Sequence, residues 1–466
     1  MSEDKSYFFC GIGGSGMLPL ACIVRARGET VAGSDRSLDQ GRTAPKFDFL
    51  RGLGIALYPQ DGSGVTSASQ ILVASAAVED SVPDVQAAMR VGAARASRAG
   101  LLAELVNGAA TSIAVGGTSG KSTVTGMIGW ILHQVGRNPT VMNGAVMKNF
   151  ATPDAPFASA LVGDSALFVS EVDESDGSIA LYTPTIAVLN NISHDHKSMD
   201  ELHALFANFV GRASTAVINL DNAESAKLAD ETHPGRVITY GFDHAEATLA
   251  GSNVRERPDG IDFEVRTTDD GEVHVSLAVP GRHNASNALA AIGAAMAAGI
   301  ELKEAASALS SFAGLKRRMD VVGTANGVTV IDDFGHNPDK IAAILSTLHA
   351  FPGRLIVYFQ PHGYGPLKTM KDELIDCFVR GLSTDDVLIL PDPVYYGGTV
   401  DREVGSEAII AGVVAGGRKA EHVPERAAGG DRLVSLAQPG DRIIIMGARD
   451  DTLSSFAAEV LGRLKG

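Results

Sequence analysis

Thr111-Ser112-Ile113-Ala114-Val115-Gly116-Gly117-Thr118-Ser119-Gly120-Lys121-Ser122-Thr123 reads as an apolar strand, a glycine-rich loop and the opening of a helix. Backbone N–H groups in such a loop wrap phosphate oxygens, and the helix N-terminus adds partial positive charge. In that setting Gly117, Thr118, Gly120 and Thr123 form the cradle, Lys121 reaches the terminal phosphates, and the Ser122 hydroxyl binds Mg²⁺. Val115 stands where the full Walker pattern has glycine, so the match is partial. A plain glycine turn with a solvated lysine is the alternative, and the strand–loop–helix setting disfavours it.

Two further segments follow expected strands in the same stretch of chain. Glu171-Val172-Asp173-Glu174-Ser175-Asp176 comes directly after the apolar residues 166–169. Acids at the carboxyl end of a parallel strand border the ligand crevice, so one of them is placed to bind Mg²⁺. Asn191-Ile192-Ser193-His194-Asp195-His196 follows the run 185–189 and supplies a histidine for a second divalent ion. Taken separately, the alternatives are a solvated acidic loop and a surface histidine cluster.

Working outward, the chain repeats this alternation of strand and helix. Residues 7–12, 17–27, 30–35 and 71–74 read as strand, helix, strand and strand. Between the first two lies Gly11-Ile12-Gly13-Gly14-Ser15-Gly16, and Asp35 ends the next strand. Gly11, Gly13, Gly14, Gly16 and Asp35 therefore suit a pyrophosphate and its ribose, of a dinucleotide or a nucleotide sugar. A structural turn is the alternative. Alternating apolar residues over 261–277, broken by Asp269-Asp270-Gly271, predict a β-hairpin. Residues 284–298 read as an alanine-rich helix, with Asn284 either capping it or reading an adenine edge. From Leu315 a third alternating region begins, with strands expected at 328–332, 355–359, 387–390 and 443–446. Asp333 and Asn337-Pro338 follow the first of these; Asp333 suits ribose hydroxyls or a cap, and Asn337 opens a helix. The expected architecture is three consecutive α/β domains over 1–107, 108–314 and 315–466. They read as a Rossmann-like N-terminal domain, a central P-loop ATPase with a β-rich insertion, and a Rossmann-like C-terminal domain.

Composition fits that reading. The 466 residues include 39 Lys+Arg against 55 Asp+Glu, a net charge of −16, which disfavours nucleic acid and anionic membrane as partners. Three cysteines, with no C-x-x-C, exclude a disulfide framework. No apolar run is long enough to span a membrane, and the polar start is no signal peptide, so a cytoplasmic enzyme is expected.

Taken in chain order, residues 11–17 with 34–35, 117–123, 171–178, 191–196, 281–287, 316–318, 332–338 and 359–362 resemble the Mur ligase family. The resemblance runs over nearly the whole chain. It implies ATP and Mg²⁺ as cofactors, and an amide formed between UDP-N-acetylmuramate and an amino acid through an acyl phosphate, for peptidoglycan precursors. L-Alanine is the acceptor expected first, with a ready-made tripeptide in cell-wall recycling as the alternative. The resemblance places Lys121 on the ATP phosphates and Ser122, Glu171 and His196 on Mg²⁺. It puts Asn284 on adenine, Arg318 and Asp333 on ATP, His336 near the reacting groups, and His362 with the substrates. The region where several members carry a carbamylated lysine is Gly211-Arg212 here, as in the alanine-adding branch.

Three departures fall in the last domain. His362-Gly363-Tyr364-Gly365-Pro366 lacks the two arginines that the alanine-adding branch places after its Phe-Gln-Pro-His. Asp333-Phe334-Gly335-His336-Asn337-Pro338 and Gly447-Ala448-Arg449-Asp450 each differ from the family pattern. A guanidinium fork is the usual carboxylate clamp, so Lys368 or Arg449 is expected to take over the acceptor's carboxylate. An NAD-dependent oxidoreductase and a non-catalytic nucleotide-binding homologue are the other classes. The phosphate loop and the lack of a hydride-transfer site count against the first, and the intact Lys121, Glu171 and His196 count against the second. A monomer or homodimer is expected.

Overall fold

A computed structural model describes residues 5–76, 78–193, 197–231, 235–242, 244–267, 271–394, 404–448, 450 and 452–465. The chain is α/β with three sheets, as the alternating pattern predicts. It divides into two compact units. The first comprises residues up to Arg255 with Ile261–Ala278 and Asn284–Gly314. The second comprises Glu256–Gly260, Val279–His283 and everything from Leu315 onward.

The first unit opens with a five-stranded parallel sheet. Its order is Ala56–Tyr58, Thr30–Ser34, Ser6–Cys10, Gln70–Ala74, Ala94–Ser97. Tyr7 and Phe9 pack into one buried cluster and Phe8 and Cys10 into another, because alternate residues of a strand face opposite sides. A strand buried on both faces reads as a continuous apolar run. The strand ends at Cys10 rather than at residue 12. Gly11 turns the chain with φ +79°, and the N–H groups of Gly11 and Ile12 both donate to the Ser34 carbonyl. The helix Met17–Ala26 then buries Leu18, Leu20, Ala21, Ile23 and Val24.

The second sheet of this unit has ten strands. From one edge they are Gly271–Leu277, Gly260–Thr267, Leu249–Arg257, Arg236–Phe242, Thr215–Asn219, Ile186–Leu189, Thr111–Gly116, Asp164–Glu171, Pro139–Met142 and Ala160–Leu161. The middle of the sheet is parallel. The expected hairpin is present, with Ile261 opposite Leu277, Phe263 opposite Val275 and Val265 opposite Val273. Its turn residues Asp269 and Asp270 lie outside the described residues. Thr111–Gly116 lies between Ile186–Leu189 and Asp164–Glu171. The strand order reverses there, which is where α/β sheets open a ligand crevice beyond their carboxyl ends.

The second unit holds a six-stranded sheet in the order Asp320–Ala325, Val328–Asp333, Arg442–Gly447, Leu355–Gln360, Val387–Leu390, Lys419–His422. Only the pairing of Asp320–Ala325 with Val328–Asp333 is antiparallel. Val357, Phe359, Leu388, Leu390, Ile444 and Met446 face one buried cluster. Ile356, Tyr358, Val387, Ile389, Ile443 and Ile445 face the other. All three cysteines are free thiols, with Cys10 buried. Among the described residues no helix is long and apolar enough to cross a membrane.

Candidate functional site

The loop after Thr111–Gly116 is built on two left-handed glycines, Gly117 at φ +135° and Gly120 at φ +83°. Such dihedrals are strained for any residue with a Cβ. Gly120 caps the helix Lys121–Gln134 without a side-chain hydrogen bond, so the loop backbone itself leads into the helix N-terminus. The Lys121 Nζ donates to the Gly117 carbonyl and to Glu174 Oε2, each at 2.7 Å. The Ser122 hydroxyl donates to Glu171 Oε2, also at 2.7 Å. Thr123 is half-buried in the first helical turn.

The acidic segment therefore divides its work. Glu171, at the end of its strand, faces the loop serine, and Glu174, only 4 % exposed, faces the loop lysine. Burial alone would raise the Asp173 carboxyl. The Lys121 ammonium and hydrogen bonds from Ser175 outweigh it and hold Asp173 below the usual range. A hydroxyl and a carboxylate in contact are the hard oxygen donors that suit Mg²⁺, so Ser122 and Glu171 fit that ion. His196, the third expected ligand, lies outside the described residues.

Two asparagines that follow Ile186–Leu189 clamp the loop. Asn191 Oδ1 accepts from the Ser119 N–H and the Thr118 hydroxyl, each at 2.9 Å. The Asn190 amide donates to the Ser119 carbonyl at 2.9 Å and to Asn287 Oδ1 at 2.9 Å. Asn287 in turn donates to Asn284 Oδ1 at 3.2 Å. Asn284 is buried in the first turn of the helix Arg282–Ala297. The helix begins two residues before it, so its alternative reading as an N-cap is corrected. Asn190 belongs to no motif read from the sequence.

The glycine loop of the five-stranded sheet is wired differently. Asp35 Oδ2 accepts from the Gly13 N–H and its Oδ1 from the Ser37 N–H, each at 2.8 Å. A Cβ on Gly13 would meet Asp35 Oδ2 at 2.9 Å, and one on Gly16 would meet the Arg98 guanidinium at 2.9 Å. Gly14 donates back to the Gly11 carbonyl at 3.1 Å. Asp35, expected at a ribose, thus holds the loop and caps the short helix Arg36–Asp39. Beside it lies Asp84, a fully buried carboxylate that the sequence reading missed. Ser34 donates to it, as does the Gly62 N–H at 3.0 Å, and burial raises its pKa.

In the second unit, Arg318 lies 4.6 Å from the Phe334 ring centroid, and Asp333 accepts from the N–H groups of Met319 and Gly335 at 2.6 Å each. Burial raises the Asp333 carboxyl against the pull of Arg318. Arg317 and Met319 on either side of Arg318 have φ of +59° and +49°. The buried Arg317 guanidinium reaches Asp332 and the Gly447 and Asp450 carbonyls, and so ties together three segments that the sequence reading had quoted separately. His336 Nδ1 lies 2.9 Å from the Phe334 carbonyl, so it carries the proton there and Nε2 keeps its lone pair. Burial, then the Lys340 ammonium, pulls its pKa down to about 3. The rings of His336 and His362 meet edge to face at 5.4 Å. Lys368 is exposed on the helix Tyr364–Thr369. Arg449 lies outside the described residues.

This layout matches known proteins. The Mur ligase family catalytic domain matches residues 6–109, the Mur ligase middle domain 115–295, and the Mur ligase glutamate ligase domain 317–449. A UDP-N-acetylmuramate–L-alanine ligase of Agrobacterium fabrum is 34% identical, over 98% of this chain and 96% of that protein. The chain belongs to the Mur ligase family. A namesake from Streptomyces avermitilis is 35% identical over 99% of this chain and 97% of its own length. Among solved structures, a UDP-N-acetylmuramate-alanine ligase of Thermotoga maritima superposes with a TM-score of 0.77 at 22% identity, over 98% of both chains. A murein peptide ligase of Psychrobacter arcticus gives 0.72 at 25% identity, over 99% of both. The Mur ligase fold thus accounts for the three sheets, and the family for the order of the motifs.

Proposed function

We propose that this Mur ligase is an ATP- and Mg²⁺-dependent enzyme of peptidoglycan precursor synthesis. It joins the carboxylate of UDP-N-acetylmuramate to the amine of L-alanine. One observation carries the reading: the phosphate-loop lysine and serine each touch an acid of one segment, in a chain similar over its length to enzymes with that name. In the first step the carboxylate oxygen takes the γ-phosphoryl group and ADP leaves. The amine then attacks the acyl carbon, the C–N bond forms, and the bond to phosphate oxygen breaks. Gly117, Thr118, Gly120 and Thr123 shape the cradle, and Lys121 holds the transferring phosphoryl group. Ser122 and Glu171 hold Mg²⁺, with His196 assigned beside them; the ion supplies positive charge against the phosphates. Asn284, Arg318 and Asp333 are assigned to ATP, and Gly11, Gly13, Gly14, Gly16 and Asp35 to the UDP-substrate. His336 is assigned near the reacting groups, with its Nε2 lone pair able to accept a hydrogen bond. His362 and Lys368 are assigned to the acceptor. We place domain limits at 1–107, 108–314 and 315–466, and the enzyme in the cytoplasm as a monomer or homodimer.

A second acceptor is favoured by a specific feature. The segment after His362 has glycine and proline where the alanine-adding pattern has arginines, and the murein peptide ligase fold covers 99% of this chain. The test is product mass spectrometry with ATP, Mg²⁺ and UDP-N-acetylmuramate. L-Alanine, glycine, L-serine and the tripeptide L-Ala-γ-D-Glu-meso-diaminopimelate are supplied one at a time. An alanyl product supports the biosynthetic reading. Product with the tripeptide alone assigns the enzyme to recycling, and no amide with any acceptor refutes both.

A further inference from the structure

Tyr240 is fully buried on the strand Arg236–Phe242, and its strand lies three places from the one that carries the phosphate loop. Its hydroxyl donates to Asn190 Oδ1 at 2.8 Å. Asn219, in register with Tyr240 on the neighbouring strand, donates to the Asn190 carbonyl at 2.8 Å. With its side-chain oxygen engaged, Asn190 turns its two amide hydrogens the other way. One goes to the Ser119 carbonyl of the loop and one to Asn287 Oδ1. Asn287 then turns its own amide to Asn284 Oδ1. The direction of these bonds follows from the Ser119 carbonyl, which can only accept: it takes the donor end of the Asn190 carboxamide and leaves the acceptor end to the phenol, which burial and the Asp221 carboxylate keep protonated. The chain also fits closely under the loop: a Cβ on Gly120 would overlap both Asn190 Nδ2 and Asn287 Oδ1.

We propose that Tyr240 and Asn190 are positioning residues of the phosphate loop. They fix the Ser119 carbonyl and the carboxamides of Asn287 and Asn284, so that one buried polar chain sets both the phosphate end and the base end of the nucleotide site. The proposal rests on the reading of this site as the ATP site. Without the Tyr240 hydroxyl, Asn190 loses the partner of its side-chain oxygen, and the Ser119 carbonyl depends on its other donor, the Asn191 amide at 3.1 Å. The nucleotide then meets a loop it must order itself.

Y240F removes one oxygen and keeps the ring. In the full-length enzyme, KM for ATP should rise about tenfold, the size of one lost buried hydrogen bond. KM for UDP-N-acetylmuramate should stay within about twofold, since no bond of this chain goes to the five-stranded sheet. N190S, too short to span from Tyr240 to Ser119, should reproduce the same split and decides the matter if Y240F does not fold. Unchanged KM for ATP, or equal weakening of both substrates, would overturn the proposal. Wild-type enzyme that binds no ATP would instead refute the underlying reading of the site.

Discussion

The two glycine loops of the first unit share one grammar of strand, glycine turn and helix, yet they are wired in opposite ways. In the loop with Gly13, the backbone N–H meets an internal carboxylate, Asp35, which is itself tied to the next helix. In the loop with Gly117 and Gly120, the neighbours holding Ser119 are uncharged asparagines, and the charged partner sits on the lysine instead. An internal anion at the turn suits a loop that packs against a ligand by shape and backbone approach. Neutral carboxamides, with a lysine held ready on a carboxylate, suit a loop that receives a highly charged phosphate. A glycine motif thus declares a close approach, and the groups that answer its N–H groups decide what approaches.

The comparison breaks most visibly at Lys121. K121A should lower kcat/KM for ATP by about 10²–10³-fold, since it removes the cation aimed at the transferring charge. Steady-state kinetics at saturating UDP-N-acetylmuramate would check it; a loss below tenfold would remove the contrast between the loops. E171Q should raise the Mg²⁺ concentration for half-maximal activity by about tenfold or more, because a neutral amide is a weaker ligand for a hard cation. A magnesium titration reads this directly, with KM for the UDP-substrate serving as the unaffected value.

At the other loop, D35A should act on stability and on UDP-substrate binding rather than on ATP. It removes a helix cap and the partner of the Gly13 N–H, at a cost of about 1–2 kcal/mol. The expected outcome is a lower melting temperature and a higher KM for UDP-N-acetylmuramate, with KM for ATP unchanged. A shift in the ATP constant of equal size would mean that the loops are not independent.

The remaining effect concerns His336. Its folded pKa of about 3 lies below the ordinary 6.5, so the ring is neutral when folded. Its contribution to stability is whole above pH 6.5 and is lost as pH falls from there toward 3, because only the unfolded form takes up the proton. Lys340, His362 and Arg318 all oppose the charged ring. The wild-type melting temperature should therefore fall more steeply than that of H336Q between pH 6.5 and 4, the stability difference changing by at most about 1.4 kcal/mol per pH unit. Parallel curves would contradict the neutral assignment.

How much of this was legible in the sequence depended on whether a residue acts through its chain neighbours or across the fold. Thr111–Gly116 and Val387–Leu390 were readable because strands buried on both faces are apolar runs. Ala94–Ser97 and Lys419–His422, at sheet edges and with charged residues, carry no such run. Thr215–Asn219 has polar ends and only the apolar run Ala216-Val217-Ile218 between them, too little for a strand to be read. At the site, Lys121 and Ser122 stood out because loop chemistry constrains their spacing, whereas Glu171 was singled out of its acidic segment by the family resemblance. Tyr240 lies 50 residues from the asparagine it orients, and Asn190 is one of a common pair of residues after a strand. Asp84 was hidden for the same reason: a carboxylate near a helix start reads as a surface cap until the fold buries it. Arg317 carried no glycine to announce its left-handed backbone.

The most direct test of the account follows an oxygen atom. UDP-N-acetylmuramate labelled with ¹⁸O in both carboxylate oxygens is turned over with ATP, Mg²⁺ and the acceptor found to react. The released phosphate is then examined by mass spectrometry. An acyl phosphate requires one ¹⁸O to leave with each phosphate and one to remain in the new amide. Phosphate without the label would contradict the ligase mechanism assigned to Lys121, Ser122 and Glu171.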